Sequence, residues 1–182
     1  MKPELSRFQQ YFSSAEVFRY VVQVFDLDKQ VKIKKSPINE LSFLENDKVT
    51  NLSHVDFLAT LQQKYPGKVI YLDIYATWYI PCLKEMEFAP ALHESFYDQD
   101  VVFVNLCLQS PKESWMKLVK HREIHGENYF IAGDDSKAMM GNFNISGFPT
   151  YMLIDKQGEI RTMKAIRPSD LENAKKEIQE LL

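Results

Sequence analysis

Residues 69–82 read VIYLDIYATWYIPC. From Val69 to Tyr75 the run is apolar apart from Asp73, the pattern of a strand buried on both faces of a sheet. Ala76 ends it, and Pro81-Cys82 opens a helix, since proline is favoured in a first helical turn. A cysteine at such a junction is a candidate for thiol chemistry, because unpaired backbone N–H groups and the helix dipole stabilise a thiolate. Cys82 has no second cysteine beside it, however. Three residues upstream stands Tyr79, whose phenol, with a pKa near 10, cannot cycle through a disulfide.

Outward from this stretch the chain alternates strands and helices. Upstream, SHVDFLATLQQKY (53–65) carries Phe57, Leu58, Leu61 and Tyr65 at helical spacing, with a capping pattern at Ser53 and Asp56, and Pro66-Gly67 stops it. Downstream, PCLKEMEFAPALHESFY (81–97) is expected to be one helix kinked near Pro90. DVVFVNLCL (100–108) is a second buried strand. Ser110, Pro111 and Glu113 then predict a helix start in the order N-cap, N1 and capping-box acid, with a stop near Gly126. NYFIA (128–132) is a short strand and SKAMMGNF (136–143) a short helix. Two strands in GFPTYMLIDKQGEIRTMKAI (147–166) turn at Lys156-Gln157-Gly158. A closing helix starts at Ser169, with Glu172 completing its capping box and Leu171, Ala174, Ile178 and Leu181 as its apolar stripe. This order gives an α/β fold whose sheet has a parallel part, an antiparallel edge and helices on both faces.

Residues 1–48 read differently and are taken as an N-terminal extension or the remnant of an upstream region. Ser13 and Glu16 open SSAEVFRYVVQVF as a helix, and the charged stretch broken by Pro37 reads as a connector or edge segment. The chain has 182 residues, a net charge of −3 and an apolar fraction of 45%. These values fit one globular domain with an appended segment and argue against nucleic acid as a partner. No stretch is long and apolar enough to span a bilayer, and the first residues lack a signal-peptide pattern. A cytosolic protein, or a mature or truncated chain, is therefore expected from composition. The two cysteines, Cys82 and Cys107, are too few for a disulfide scaffold and lack zinc-site spacing. His121 and His125 sit four residues apart, but Arg122 stands where a metalloprotease pattern needs glutamate, so favourable charge near a helix C-terminus is the expected role. The Asn-x-Ser triplets at Asn51 and Asn144 matter only in a eukaryotic secretory protein.

The element order, with DIYATWYIPCLKEM (73–86) and ISGFPTYMLIDKQGEI (145–160), resembles the thioredoxin fold, and within it the TlpA/ResA-like thiol–disulfide oxidoreductases. The resemblance covers Val49 to Leu182, taken as the thioredoxin-like domain. It rests on the Trp78–Pro81–Cys82 junction, the Gly147-Phe148-Pro149-Thr150 loop and the hairpin after it. It implies a cis bond at Phe148–Pro149, Cys82 in the resolving-cysteine position, Asp73 as the buried acid and Tyr79 where the attacking cysteine should be. Ile80 fills a slot usually small or polar, and Glu87 stands where relatives often have proline. The resemblance also implies a bacterial protein, periplasmic or otherwise extracytoplasmic, acting on an extended or cysteine-bearing polypeptide; no cofactor or metal is expected. The rival expectation is a non-catalytic module that binds a peptide or partner against the cis-proline loop.

Within that frame each residue keeps a plainer reading. Cys82 is expected to be a shielded, inert core residue, with a reactive monothiol as the alternative. Cys107 is a buried strand residue unless it lies near enough to pair with Cys82. Trp78, Tyr79 and Phe148 form either core or an apolar groove floor. The Tyr79 ring is expected to cover Cys82, or else to swing against Phe148.

Overall fold

The computed structural model describes residues 37–45 and 48–182, which fall within one compact unit, Lys34–Leu182. The helix read over residues 13–25 lies outside the described residues, as does most of the connector after it. The sheet starts upstream of the expected Val49 boundary. Leu41–Glu45 (β1) and Lys48–Leu52 (β2) pair antiparallel, and Ile38 bridges to Val55 just before them. Leu41 is fully buried and Ser42 Oγ donates to Asn51 Oδ1 at 2.9 Å, which ties the hairpin together. Neither strand was read from the sequence: each is only 5 residues long, and β2 is mostly exposed.

Val69–Tyr75 (β3) is buried at every position and pairs on both sides. Val101–Cys107 (β4) runs parallel to it, and Thr150–Ile154 (β6) runs antiparallel. Glu127–Ile131 (β5) joins β4 in parallel and β1 antiparallel, and Ile160–Thr162 (β7) closes the far edge. The order across the sheet is β2-β1-β5-β4-β3-β6-β7. This is the mixed sheet of a thioredoxin-like fold. In the β3–β4 register Asp73 lies beside Asn105 and Tyr75 beside Cys107, so these four residues share one face.

Helices cover both faces. On one, Phe57–Lys64 (α1) sets Phe57 edge-on against Tyr129 of β5, and the Tyr65 and Tyr129 hydroxyls lie 3.1 Å apart. On the other, Lys112–Arg122 (α4) stacks Trp115 on Phe130 with centroids 5.3 Å apart. Beside α4, the face bearing Val69, Tyr71 and Leu153 packs Leu92, Phe96, Ala174 and Ile178 into one core. Leu92 comes from Ala89–Glu94 (α3), and Ala174 and Ile178 from Leu171–Gln179 (α6). Each large side chain so buried stabilises by about 1.5–3 kcal/mol relative to exposure.

Several helix starts differ from the sequence reading. Asp56, rather than Ser53, is the N-cap of α1, its Oδ1 accepting from Ala59 N at 3.0 Å. Ser110 and Ser169 do not cap α4 and α6, whose N-caps are Pro111 and Asp170. The Ser110 hydroxyl accepts from Thr77 N and donates to Leu108 O, while Ser169 binds Glu85. Gly133–Asn142 (α5) begins before the expected Ser136. The single kinked helix is instead two, Ile80–Glu85 (α2) and α3, with Pro90 in the first turn of α3, where its missing N–H leaves no helical bond unmade. α4 stops at Arg122, with Glu123 in the left-handed region at φ 48°. Gly126 at φ +91° follows, and a Cβ there would sit 2.6 Å from the Phe103 carbonyl oxygen, so only glycine fits.

Candidate thiol site at the β3–α2 junction

The site is built where β3 runs out. Thr77 N donates to Ser110 Oγ at 2.9 Å, and Trp78 Nε1 donates to Gln109 O at 2.7 Å. These bonds tie the junction to the loop after β4. Tyr79 is the N-cap of α2, with extended backbone and no side-chain capping bond, and Pro81 lies in the first turn. Cys82 follows, its amide donating to Tyr79 O at 3.0 Å.

The thiol does not meet solvent. Cys82 is 1% exposed and belongs to a buried cluster with Tyr75, Cys107, Trp115, Val119 and Phe130, against which Met86 and Phe148 also pack. Burial pushes the Cys82 thiol up to about 11; the Asp73 charge works the same way, and the Ala76 amide opposes. Burial likewise pushes Cys107 up to about 12. Both cysteines are free thiols.

Tyr79 departs from the expectation that its ring would be buried over Cys82. Its side chain is 37% exposed and meets Trp78 edge-on, centroids 5.8 Å apart. Trp78 in turn is 59% exposed and meets Phe148 edge-on at 6.3 Å. With exposed Ile80 these rings form an aromatic surface at the mouth of the junction. The Phe148–Pro149 peptide bond is cis, and Pro149 is buried.

Asp73 lies deeper. It is 7% exposed, and its Oδ1 has no hydrogen-bond partner among the described residues; nor does the hydroxyl of Tyr151, its neighbour across the β3–β6 ladder. Burial, then the charge of Glu85, pushes the Asp73 carboxyl up to about 8, while the nearby Tyr151 hydroxyl pulls the other way. A carboxyl so placed can hold or release a proton near neutral pH. A cavity of about 230 Å³ reaches it between Pro90, His93, Asn105 and His125. His93 stacks on Phe103 at 4.0 Å; burial first, and then His125, lowers its pKa to about 4, so His93 itself is neutral near pH 7.

The sequence reading missed Glu85. One turn beyond Cys82, its carboxylate accepts from Ser169 Oγ at 2.9 Å and Ser169 N at 3.1 Å, with Arg167 at 4.0 Å. Its spacing from Cys82 was the available signal, since residues three apart share a helix face. His121 and His125 do not form a helical pair, because His125 lies beyond the end of α4. Among the described residues no group of three or more His, Cys, Asp or Glu is set to hold a metal, and no helix is long and apolar enough to cross a membrane.

Comparison with known proteins agrees with this architecture. The ResA thiol-disulfide oxidoreductase of Geobacillus kaustophilus is 30% identical over 97 residues, 53% of this chain and 54% of that protein. That of Bacillus subtilis is 26% identical over 94 residues. The chain spans about half the length of these curated relatives. A solution structure from Bacteroides vulgatus assigned to the thiol-disulfide oxidoreductases superposes with TM-score 0.62 at 28% identity, covering 83% of this chain and 91% of that one. A thiol:disulfide interchange protein structure from Chlorobium tepidum shares the fold, with TM-score 0.56 at 17% identity, covering 81% of this chain and 97% of that one. Residues 45–178 match the Redoxin family. The chain belongs to that family, with TlpA/ResA-like proteins as its relatives.

Proposed function

We propose that this protein is a thiol–disulfide oxidoreductase by lineage in which Tyr79 occupies the position of the attacking cysteine, so that the ordinary dithiol exchange at the start of α2 is lost. The observation that carries this reading is the site itself: α2 opens on a tyrosine, and its sole thiol, Cys82, is buried and held protonated. Attack on a disulfide needs a thiolate at the surface, and resolution of the mixed disulfide needs a second thiol within reach. The first turn of α2 supplies neither.

The remaining parts of the site suit a polypeptide partner. Trp78, Tyr79, Ile80 and Phe148 offer an apolar surface beside Pro149, where an extended, cysteine-bearing chain could lie. The kinship with ResA supports placing the protein outside the cytoplasm, in the redox homeostasis of a bacterial cell envelope. Insulin reduction by dithiothreitol tests the reading. The expected result is that this chain adds nothing to the rate of dithiothreitol alone, while Tyr79→Cys does. Turnover by the unaltered chain that disappears in Cys82→Ala would overturn the proposal.

A further inference from the structure

The second cysteine has so far had no task. Cys107 ends β4, and the parallel register sets it beside Tyr75 on the face that α2 covers. Cys82 comes down from α2 onto that same face, and the two thiols share one buried cluster. Neither is exposed, and neither is engaged in a disulfide. The chain therefore holds two thiols in one apolar compartment, one on a helix and one on the strand beneath it.

We propose that Cys82 and Cys107 are a redox pair that closes into an internal disulfide linking α2 to the end of β4. The proposal rests on the reading that Tyr79 leaves Cys82 without a partner inside α2. The chemistry balances with a low-molecular-weight disulfide, R–S–S–R, as oxidant. When α2 opens, the Cys82 thiolate attacks one sulfur of R–S–S–R; a Cys82–S–S–R bond forms, and RS⁻ leaves and takes up a proton. The Cys107 thiolate then attacks the Cys82 sulfur and expels the second RS⁻, which is protonated in turn. The protein loses two electrons and two protons, and R–S–S–R becomes two R–SH.

The surroundings set the character of this pair. A thiolate stabilised by nearby positive charge favours the reduced form, and that is what makes a strongly oxidising disulfide. Here burial raises both thiols, so the reduced pair gains no such support. A neutral disulfide suits a cluster of Tyr75, Trp115, Val119 and Phe130. The pair forms slowly, because both sulfurs are covered, and is hard to reduce once formed. Closure needs the two Cα atoms within about 7 Å. α2, which carries Cys82, is only 6 residues long.

The experiment is disulfide mapping at equilibrium. The reduced chain is held for hours in native buffer with excess glutathione disulfide, quenched in acid, alkylated and digested with trypsin. Cleavage after Lys84 separates Cys82 from Cys107. The expected product is the peptide ending at Lys84 linked to the peptide containing Cys107, two hydrogens lighter than the sum of the free peptides and split by dithiothreitol. The bond should raise Tm and, through Trp115 in the same cluster, reversibly quench tryptophan emission. In Cys107→Ser, glutathione should instead accumulate on Cys82. A glutathione adduct on Cys82 in the unaltered chain without the link, both cysteines remaining free, or a link formed only in urea would each overturn the proposal. None of these outcomes depends on insulin turnover, so a failed pairing and a failed reading of Tyr79 are distinguishable.

Discussion

Two buried clusters lie on the same side of the sheet. The cluster of Val69, Tyr71, Leu92, Phe96, Leu153, Ala174 and Ile178 is nearly all carbon, and the Tyr71 hydroxyl is satisfied by Ile166 O at 2.7 Å. Tyr151 belongs to it too, and its hydroxyl, opposite Asp73, has no partner among the described residues. The cluster of Tyr75, Cys82, Cys107, Trp115, Val119 and Phe130 holds two thiols, together with a tyrosine hydroxyl and an indole N–H that have no partner among the described residues. A buried polar group left unpaired costs about 1–3 kcal/mol. The first cluster holds the fold together, whereas the second tolerates chemical groups that packing alone does not explain.

The two clusters should differ most in what truncating a side chain costs. Leu92→Ala removes a fully buried side chain between α3 and α6 and should destabilise by about 2–5 kcal/mol in urea unfolding. Cys82→Ala removes far less volume, so its loss should be clearly smaller; equal losses would erase the distinction.

Asp73 adds a dependence on pH. The folded carboxyl keeps its proton up to about pH 8, while the unfolded one releases it near 3.8, so between these values the folded state binds more protons. The unfolding free energy should therefore fall as pH rises through that window and flatten outside it. Asp73→Asn should remove that slope and, above pH 8, stabilise by roughly 2–4 kcal/mol. A parallel slope in the variant would mean that Asp73 is not the group responsible. Gly126→Ala, forcing a Cβ toward Phe103 O at positive φ, should cost about 1–3 kcal/mol by thermal unfolding. Smallest of all, Tyr79→Ala should change stability by no more than about 0.5 kcal/mol, because the ring is exposed and touches chiefly Trp78.

The parts of the molecule legible in the sequence were those set by local pattern. β3 was readable because its apolar run is buried at every position, and Asp73 because an acid inside such a run needs a reason. The positions of Trp78 and Cys82 followed from the strand-to-helix junction. Features set by tertiary partners were not legible. Ser110 and Ser169 looked like helix caps, yet their hydroxyls serve the loop before α2 and the Glu85 carboxylate. β1 and β2 are 5 residues each with no glycine turn between them to announce a hairpin, which takes its place through β5. The Tyr79 ring could have turned either way, and it stays 37% exposed with its edge against Trp78.

Cys82 is a covered, protonated thiol with no second thiol inside α2, a state that timed alkylation of the native protein can test. Iodoacetamide labelling at pH 8, quenched at intervals and read by peptide mass spectrometry, follows Cys82 and Cys107 separately. With 1% exposure and a thiol pushed up to about 11, Cys82 should label at least about a hundredfold more slowly than glutathione and reach the free-thiol rate only in urea. Native labelling of Cys82 as fast as glutathione would contradict the account and make it an accessible nucleophile.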